Sequence, residues 1–241
     1  SIGIQNIKVV KKPVVSFFST GDELTAVGKK LKEGQIYDSN RYLLHGLLSE
    51  LPVEIKDMGV VKDSKHKLKE KFLSASKNSE FIITTGGVSV GEADFVRDIL
   101  SVVGKINFWK ISIKPGRPLA FGKIKNSYFF GLPGNPVSTV ITFQLFVIPA
   151  IEKMLNKTVK NNLFIDAITK STIIKKKGRM EYQRAKLIKS KNTYFVETTG
   201  MQGSNILTSL AAANCYIRLP ANASKINKGD NVEVLPFSNK F

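Results

Sequence analysis

Over its first two thirds the chain switches repeatedly between hydrophobic periods of two and of 3.6 residues, and that alternation leaves few folds open. "VVSFFS" (14–19) reads as a strand and "SNRYLLHGLLSEL" (39–51) as an amphipathic helix with Asp38 or Ser39 at its N-cap. "VEIKDMGVV" (53–61) returns to strand, "DSKHKLKEKFLSA" (63–75) to helix and "EFIITT" (80–85) to strand. A helix over 94–103 follows, then the strand-like "INFWKISI" (106–113) and a hairpin made of "PLAFGKI" and "SYFFGL". The apolar helix "NPVSTVITFQLFVIPAIEKML" closes this part, and Pro149 should kink or interrupt it. Repeated β–α units of this length imply an α/β fold with a mostly parallel sheet and helices on both faces.

Between Asn156 and Asn162 the texture changes. From Leu163 onward, β-rich pieces ("LFIDAIT", "RAKLI", "TYFVETT", "CYIRLP", "NVEVLPF") alternate with Lys, Asn and Gly clusters, the pattern of a small all-β module. "LTSLAAAN" (207–214) is its one helical candidate. The expected organisation is an α/β domain over 1–155 and an all-β domain over 163–241, held as a fixed pair by a short linker. A chain of 241 residues can bury a core in each.

Composition narrows the class of function. One cysteine, Cys215, excludes an intramolecular disulfide framework; it reads as a small buried residue, and the expected location is the cytoplasm. The first fifteen residues lack the apolar core of a signal peptide. The most apolar stretch, Val137 to Ile151, is broken by Ser138, Thr139, Thr142 and Gln144 and is read as too short for a bilayer, so no membrane partner is expected. The formal net charge is +18, spread as 21 basic and 13 acidic residues over 1–151 and 16 and 6 over 152–241. Lysines are scattered with few aromatics among them, which favours anionic small-molecule substrates over nucleic acid.

Four loops rich in Gly, Pro and charge leave strand ends: "STGDEL" (19–24), "TTGGVSVGEAD" (84–94), "IKPGRP" (113–118) and "GLPGNPVS" (131–138). In an open parallel sheet such loops converge on one rim, where ligands bind. Gly86, Gly87, Ser89 and Gly91 can bring backbone amides to a phosphate, and Ser138 can place a hydroxyl at a helix N-terminus. Lys114 and Arg117 can present two cationic groups to an oxyanion. Glu23, Asp38, Asp63 and Asp94 are oxygen donors suited to a hard cation such as Mg²⁺. His45 and His66 are too few for a zinc site. There is no Gly-x-Ser-x-Gly elbow, no Walker lysine after the glycines and no dinucleotide fingerprint after the first strand.

"STGDEL", "GQIYDSN", "TTGGVSVGEADF", "KPGRPLAFG" and "GLPGNPVS", in this order, resemble the MoeA family of molybdopterin molybdenumtransferases, which includes the C-terminal part of gephyrin. "GRMEYQRA" (178–185), "GMQGSNILTSLAAAN" (200–214) and "KGDNVEV" (228–234) extend the likeness into the second domain. The resemblance implies a MogA-like three-layer α/β domain followed by a small barrel-like β-domain. It also implies a reaction: adenylylated molybdopterin and molybdate combine, with Mg²⁺, to give molybdenum cofactor and AMP.

Carried onto this chain, the family's acidic positions fall on Glu23, Asp63 and Asp94, and its two turn-shaping prolines on Pro133 and Pro136. Lys114 and Arg117 match the cationic pair expected near molybdate, with Ser138, Arg179 and Ser204 as further candidates and Arg184 able to fill the role of Arg179. Mg²⁺ is expected at Asp94 and Asp63. The family's large N-terminal region does not precede Ser1, so the chain is expected to be the two C-terminal domains of a longer, homodimeric protein, and on its own to turn over little. Two other activities stay open: a MogA-type adenylyltransferase and a non-catalytic, gephyrin-like scaffold.

Overall fold

The structure, a computed structural model, describes residues 3–87, 93–157 and 164–237, without the side chains of 93–95. In the first domain β1 (Val14–Thr20), β2 (Leu24–Thr25), β3 (Ile36–Tyr37), α1 (Ser39–Ser49), β4 (Glu54–Val61), α2 (Lys65–Lys77) and β5 (Phe81–Thr85) come first. They are followed by α3 (Ala93–Val103), β6 (Gly104–Lys110), β7 (Ile113–Lys114), β8 (Pro118–Ile124), β9 (Ser127–Leu132), α4 (Pro136–Thr142), a π-helical turn at Phe143–Val147, and α5 (Ile148–Met154).

The main sheet has the order β4-β1-β5-β9-β8-β6. β4, β1, β5 and β9 pair in parallel, and β8 runs antiparallel to both of its neighbours. All of β1 is buried, as a central parallel strand covered on both faces must be. Alternate side chains feed two cores. Phe18, Ile82 and Phe129 pack with Leu68 and Phe72 of α2 and Leu100 of α3, while Phe17, Phe81, Ile83 and Phe130 pack with Leu44 and Leu48 of α1 and with Phe143, Val147 and Ile151. The result is the expected helix–sheet–helix sandwich.

The helix that closes this domain runs without a break from Pro136 to Met154, 19 residues, and is long and apolar enough to cross a membrane by length and composition. The shorter limits 137–151 do not anticipate this. Half of it is buried inside the molecule, where Val137, Ile141, Phe143, Val147 and Ile151 are buried among core side chains. The interruption expected from Pro149 takes the form of the π turn before it: the Ile148 N–H reaches back to the Phe143 carbonyl. Pro149 has no N–H for a carbonyl four residues earlier, and a widened turn absorbs the defect.

The second domain contains β10 (Ile165–Thr169), β11 (Ile173–Ile174), β12 (Met180–Ser190), β13 (Thr193–Thr198), α6 (Leu207–Ala211), β14 (Cys215–Leu219), β15 (Lys225–Ile226) and β16 (Asn231–Pro236). β13, β10, β16, β14 and β12 pair in that order, and β12 pairs back with β13, closing a five-stranded barrel. Ala185, Leu187, Val196, Cys215, Ile217 and Val234 fill it. Burial pushes the Cys215 thiol up to about 12, the behaviour of an inert core residue.

The domains meet through β7. The segment 106–113, read from sequence as one strand, is two: β6 stays on the edge of the main sheet, while Ile113 and Lys114 pair with Met180 and Glu181 of β12. Register shifts at Ile106/Phe108 and Phe108/Lys110 twist the edge strand away before the chain crosses over. Ile113 and Ile141 then pack with Tyr182, Tyr216 and Leu235 of the barrel.

Candidate functional site

Two clefts meet at the carboxyl ends of the parallel strands. The first, about 500 Å³, lies on the rim of the α/β domain between the N-terminus of α1 and the turn leading into α4. Thr20, Thr85 and Gly86 form its floor at the ends of β1 and β5. Gly86 has φ +83°, and a Cβ there would collide with the carbonyl oxygen of Thr20, so no other residue fits without moving the main chain. Gly87, at φ +65°, is hemmed in by Thr20 Cγ2 and Val96 Cγ2 at 2.8 Å from an added Cβ. The opposite wall is the Pro133–Pro136 turn. Pro136 occupies the first helical turn of α4, where its missing N–H costs nothing, and Thr139 Oγ1 donates to the Pro133 carbonyl at 2.6 Å, tying the turn down. Asn40 Nδ2 donates to the Gly134 carbonyl at 2.7 Å, which joins the α1 wall to this turn.

The α1 wall carries acceptors. Asp38 caps the helix, its Oδ1 accepting from Arg41 N–H at 3.2 Å, which settles the choice between Asp38 and Ser39. Glu23 lines the same cleft, its carboxylate folded over Gly21. Asp63 sits just outside it, accepting a 2.5 Å hydrogen bond from the Thr20 hydroxyl.

The second cleft, about 510 Å³, lies between the domains. Lys114, Arg117 and Ser138 of the α/β domain face Arg179, Gln202 and Ser204 of the barrel across it. Pro118, Asn135 and Ser138 line both clefts, so the two spaces adjoin across these residues. Lys114 Nζ is 3.3 Å from Glu181, a barrel carboxylate that is 6% exposed and also accepts from Gln183 Nε2. Arg117 and Arg179 are exposed. The second cleft therefore concentrates positive charge with one buried counter-charge.

Arg184 does not line either cleft, which corrects its place beside Arg179 as a ligand for an oxyanion. It is 0% exposed; Nε donates to Ser209 Oγ at 2.7 Å and Nη2 to the carbonyls of Met201 and Gly203 at 2.9 and 3.0 Å. Gln202 completes the clamp on the main chain of Arg184, accepting from its N–H and donating to its carbonyl. Burial lowers the guanidinium pKa from its ordinary value, opposed by the nearby Tyr216, and raises that of the Tyr216 hydroxyl. The clamped loop presents Gln202, Gly203 and Ser204 to the second cleft and Asn205 and Leu207 to the first. Its Ser204 carbonyl accepts from the Val137 N–H at the start of α4.

Of the residues picked from sequence, Glu23, Gly86, Pro133, Pro136 and Ser138 thus meet in the first cleft, and Lys114, Arg117, Ser138, Arg179 and Ser204 in the second. Gly87 and Asp63 stand behind the first. Ser89 and Gly91 lie outside the described residues, as does the side chain of Asp94. Asn40, Asn135, Glu181 and Gln202 are not among the residues singled out from sequence, although each lies inside a quoted motif: "GQIYDSN", "GLPGNPVS", "GRMEYQRA" and "GMQGSNILTSLAAAN". Among the described residues no three His, Cys, Asp or Glu side chains gather as a metal cluster. His45 is exposed, and the exposed His66 lies 3.4 Å from Glu70.

Comparison with known proteins agrees with this geometry. The family described as "Probable molybdopterin binding domain" matches residues 16–153, and the "MoeA C-terminal region (domain IV)" matches 166–237. The molybdopterin molybdenumtransferase of Haemophilus influenzae is 41% identical over 240 residues, covering 99% of this chain and 59% of the relative. Gephyrin of Dictyostelium discoideum is 34% identical, covering 98% of this chain and 38% of its own length. The chain thus spans less than two thirds of either relative. A crystal structure of the molybdopterin biosynthesis MoeA protein from Pyrococcus horikosii matches with a TM-score of 0.80 and 30% identity over 95% of this chain and 55% of that one. With both domains matched in order and in fold, the chain belongs to the MoeA family.

Proposed function

We propose that the joined clefts carry out molybdate insertion: adenylylated molybdopterin and molybdate react to give molybdenum cofactor and AMP. The observation that carries this reading is that a backbone-built cleft and a cationic one share a wall made of Pro118, Asn135 and Ser138. The first suits a phosphate, because the Gly86 main chain lines it and α4 turns a positive helix end to it; Pro136 has no N–H and the Val137 N–H is taken by Ser204, which leaves that of Ser138. The second suits a tetrahedral oxyanion, held by Lys114, Arg117 and Arg179 with Ser204. Substrate phosphate and oxyanion are then held side by side, which removes the entropic cost of bringing them together. Glu23, at the mouth of the first cleft, orders the site or moves a proton.

The donors near the first cleft fit Mg²⁺ in kind, being carboxylate oxygens with the Asp63 carboxylate held in place by Thr20. Asp63 and Asp94 are the residues proposed to hold the ion. Bound there it would offset the charge of the substrate phosphates. Homodimerisation and a cytoplasmic location belong to the same proposal; the buried thiol of Cys215, free of any disulfide, is in keeping with a reducing compartment.

The test is incubation with adenylylated molybdopterin, molybdate or tungstate, and Mg²⁺, using this chain and this chain fused behind the N-terminal portion of the Haemophilus relative. AMP release that depends on the oxyanion supports the reading. Formation of adenylylated pterin from ATP without metal insertion would replace it with the adenylyltransferase activity, and partner capture without turnover with a scaffold.

A further inference from the structure

The α1 wall of the first cleft holds two polar atoms that folding leaves without partners. Asp38 is 3% exposed, and while Oδ1 takes the Arg41 N–H, Oδ2 is buried with no hydrogen bond. Asn40 spends its amide nitrogen on the Gly134 carbonyl, which leaves Oδ1 as a second buried acceptor with no donor. Both residues line the cleft. The Arg41 side chain does not serve Asp38: its guanidinium is turned to Asp57, with Nε 2.8 and 2.7 Å from the two oxygens. Buried acceptors without donors are uncommon in folded proteins, and two on one cleft wall call for a ligand that brings donors.

We propose that Asp38, assisted by Asn40, recognises the vicinal diol of the ribose in the adenylyl half of the substrate. The inference rests on the reading above, which brings an adenylyl group to this cleft. A phosphate is the wrong partner, because it offers acceptors to acceptors. A cyclic guanidine edge such as a pterin's takes a carboxylate through both oxygens, and one oxygen of Asp38 is already committed to the helix cap. A diol asks for two separate single acceptors, and the wall supplies one from Asp38 and one from Asn40. With the ribose seated there, the phosphate is left to the floor of the cleft, at Gly86.

The experiment is calorimetric titration of this chain with AMP, 2′-deoxy-AMP and 3′-deoxy-AMP, repeated on Asp38→Ser and Asp38→Ala. Asp38→Ser keeps a helix-capping oxygen and removes only the free one, so it separates recognition from folding. The unaltered chain should bind AMP roughly tenfold more tightly than at least one deoxy analogue, and Asp38→Ser should lose that preference along with about tenfold in AMP affinity. Retention of the full preference by both variants overturns the assignment. So does a loss that disappears when Mg²⁺ is removed with EDTA, since Asp38 would then be a metal ligand. If Asp38→Ser keeps the preference while oxyanion-dependent AMP release continues, the diol assignment fails and molybdate insertion stands. No AMP binding by the unaltered chain, alone or in the fusion, would remove the diol assignment, and oxyanion-dependent AMP release by the fusion decides the insertion reading separately.

Discussion

The two clefts are built by opposite means. The rim cleft is shaped by main chain: Gly86 pressed against Thr20, the Pro133–Pro136 turn tied down by Thr139, and two helix N-termini. The interdomain cleft is lined by long charged side chains, Lys114, Arg117 and Arg179, drawn from two domains. Main-chain geometry leaves little freedom and tolerates little change. Exposed cations are adjustable, and each is screened by solvent. What stiffens the second cleft is placed out of sight, in the buried clamp of Arg184 on the 201–204 loop.

That contrast can be broken most severely at the clamp. Arg184→Met leaves the Met201 and Gly203 carbonyls and the Ser209 hydroxyl short of donors, and should cost about 3–5 kcal/mol of unfolding free energy in urea titrations. Arg184→Lys should recover part of that stability, yet bind molybdate more weakly than the parent. Unchanged molybdate affinity in Arg184→Lys would show that the Val137–Ser204 hydrogen bond alone positions the loop.

Gly86→Ala should come next. The added methyl meets the Thr20 carbonyl at a positive φ, for a cost of about 2–3 kcal/mol. AMP affinity should fall at least about tenfold, equivalent to about 1.4 kcal/mol, while molybdate affinity stays within about twofold. Equal losses for both ligands would mean that the clefts act as one.

The smallest effects belong to the interdomain side chains. Arg179→Ala should weaken molybdate binding by about tenfold at most and leave the melting temperature unchanged, because Arg179 is exposed. Glu181→Gln should act in the opposite direction: it frees Lys114 from its counter-charge and should tighten molybdate by about two- to fivefold at low salt. Isothermal titration at two ionic strengths checks both, and weaker binding by Glu181→Gln would show that the pair is needed to place Lys114.

Much of this was legible along the chain. Periodicity placed α1, β4, α2 and β5 within a few residues, since each buries one face or both against the sheet. The four loops at strand ends are marked by clustered Gly, Pro and charge, and all four supply residues to the clefts. The limits appear at particular residues. Ile113 and Lys114 have the same strand-forming texture as residues 106–110, and only the barrel edge offered by β12 draws them away. Arg179 and Arg184 lie five residues apart in one motif, yet one is exposed in the cleft and the other wholly buried. Alternation along a strand does not say which of two arginines the neighbouring loop will cover.

By itself the sequence determined the two-domain order, the α/β sandwich, the β-rich second half and the chemical kinds of group gathered at the rim. These follow from local periodicity and from residues whose backbone preferences act over a few positions. The tertiary structure alone decided that the rim and interdomain clefts adjoin, that Glu181 sits beside Lys114, that Arg184 is a clamp, and that Asp38 keeps one buried oxygen unpartnered. Each of these depends on contacts between residues far apart in the chain, where burial and pairing are set by which surfaces meet.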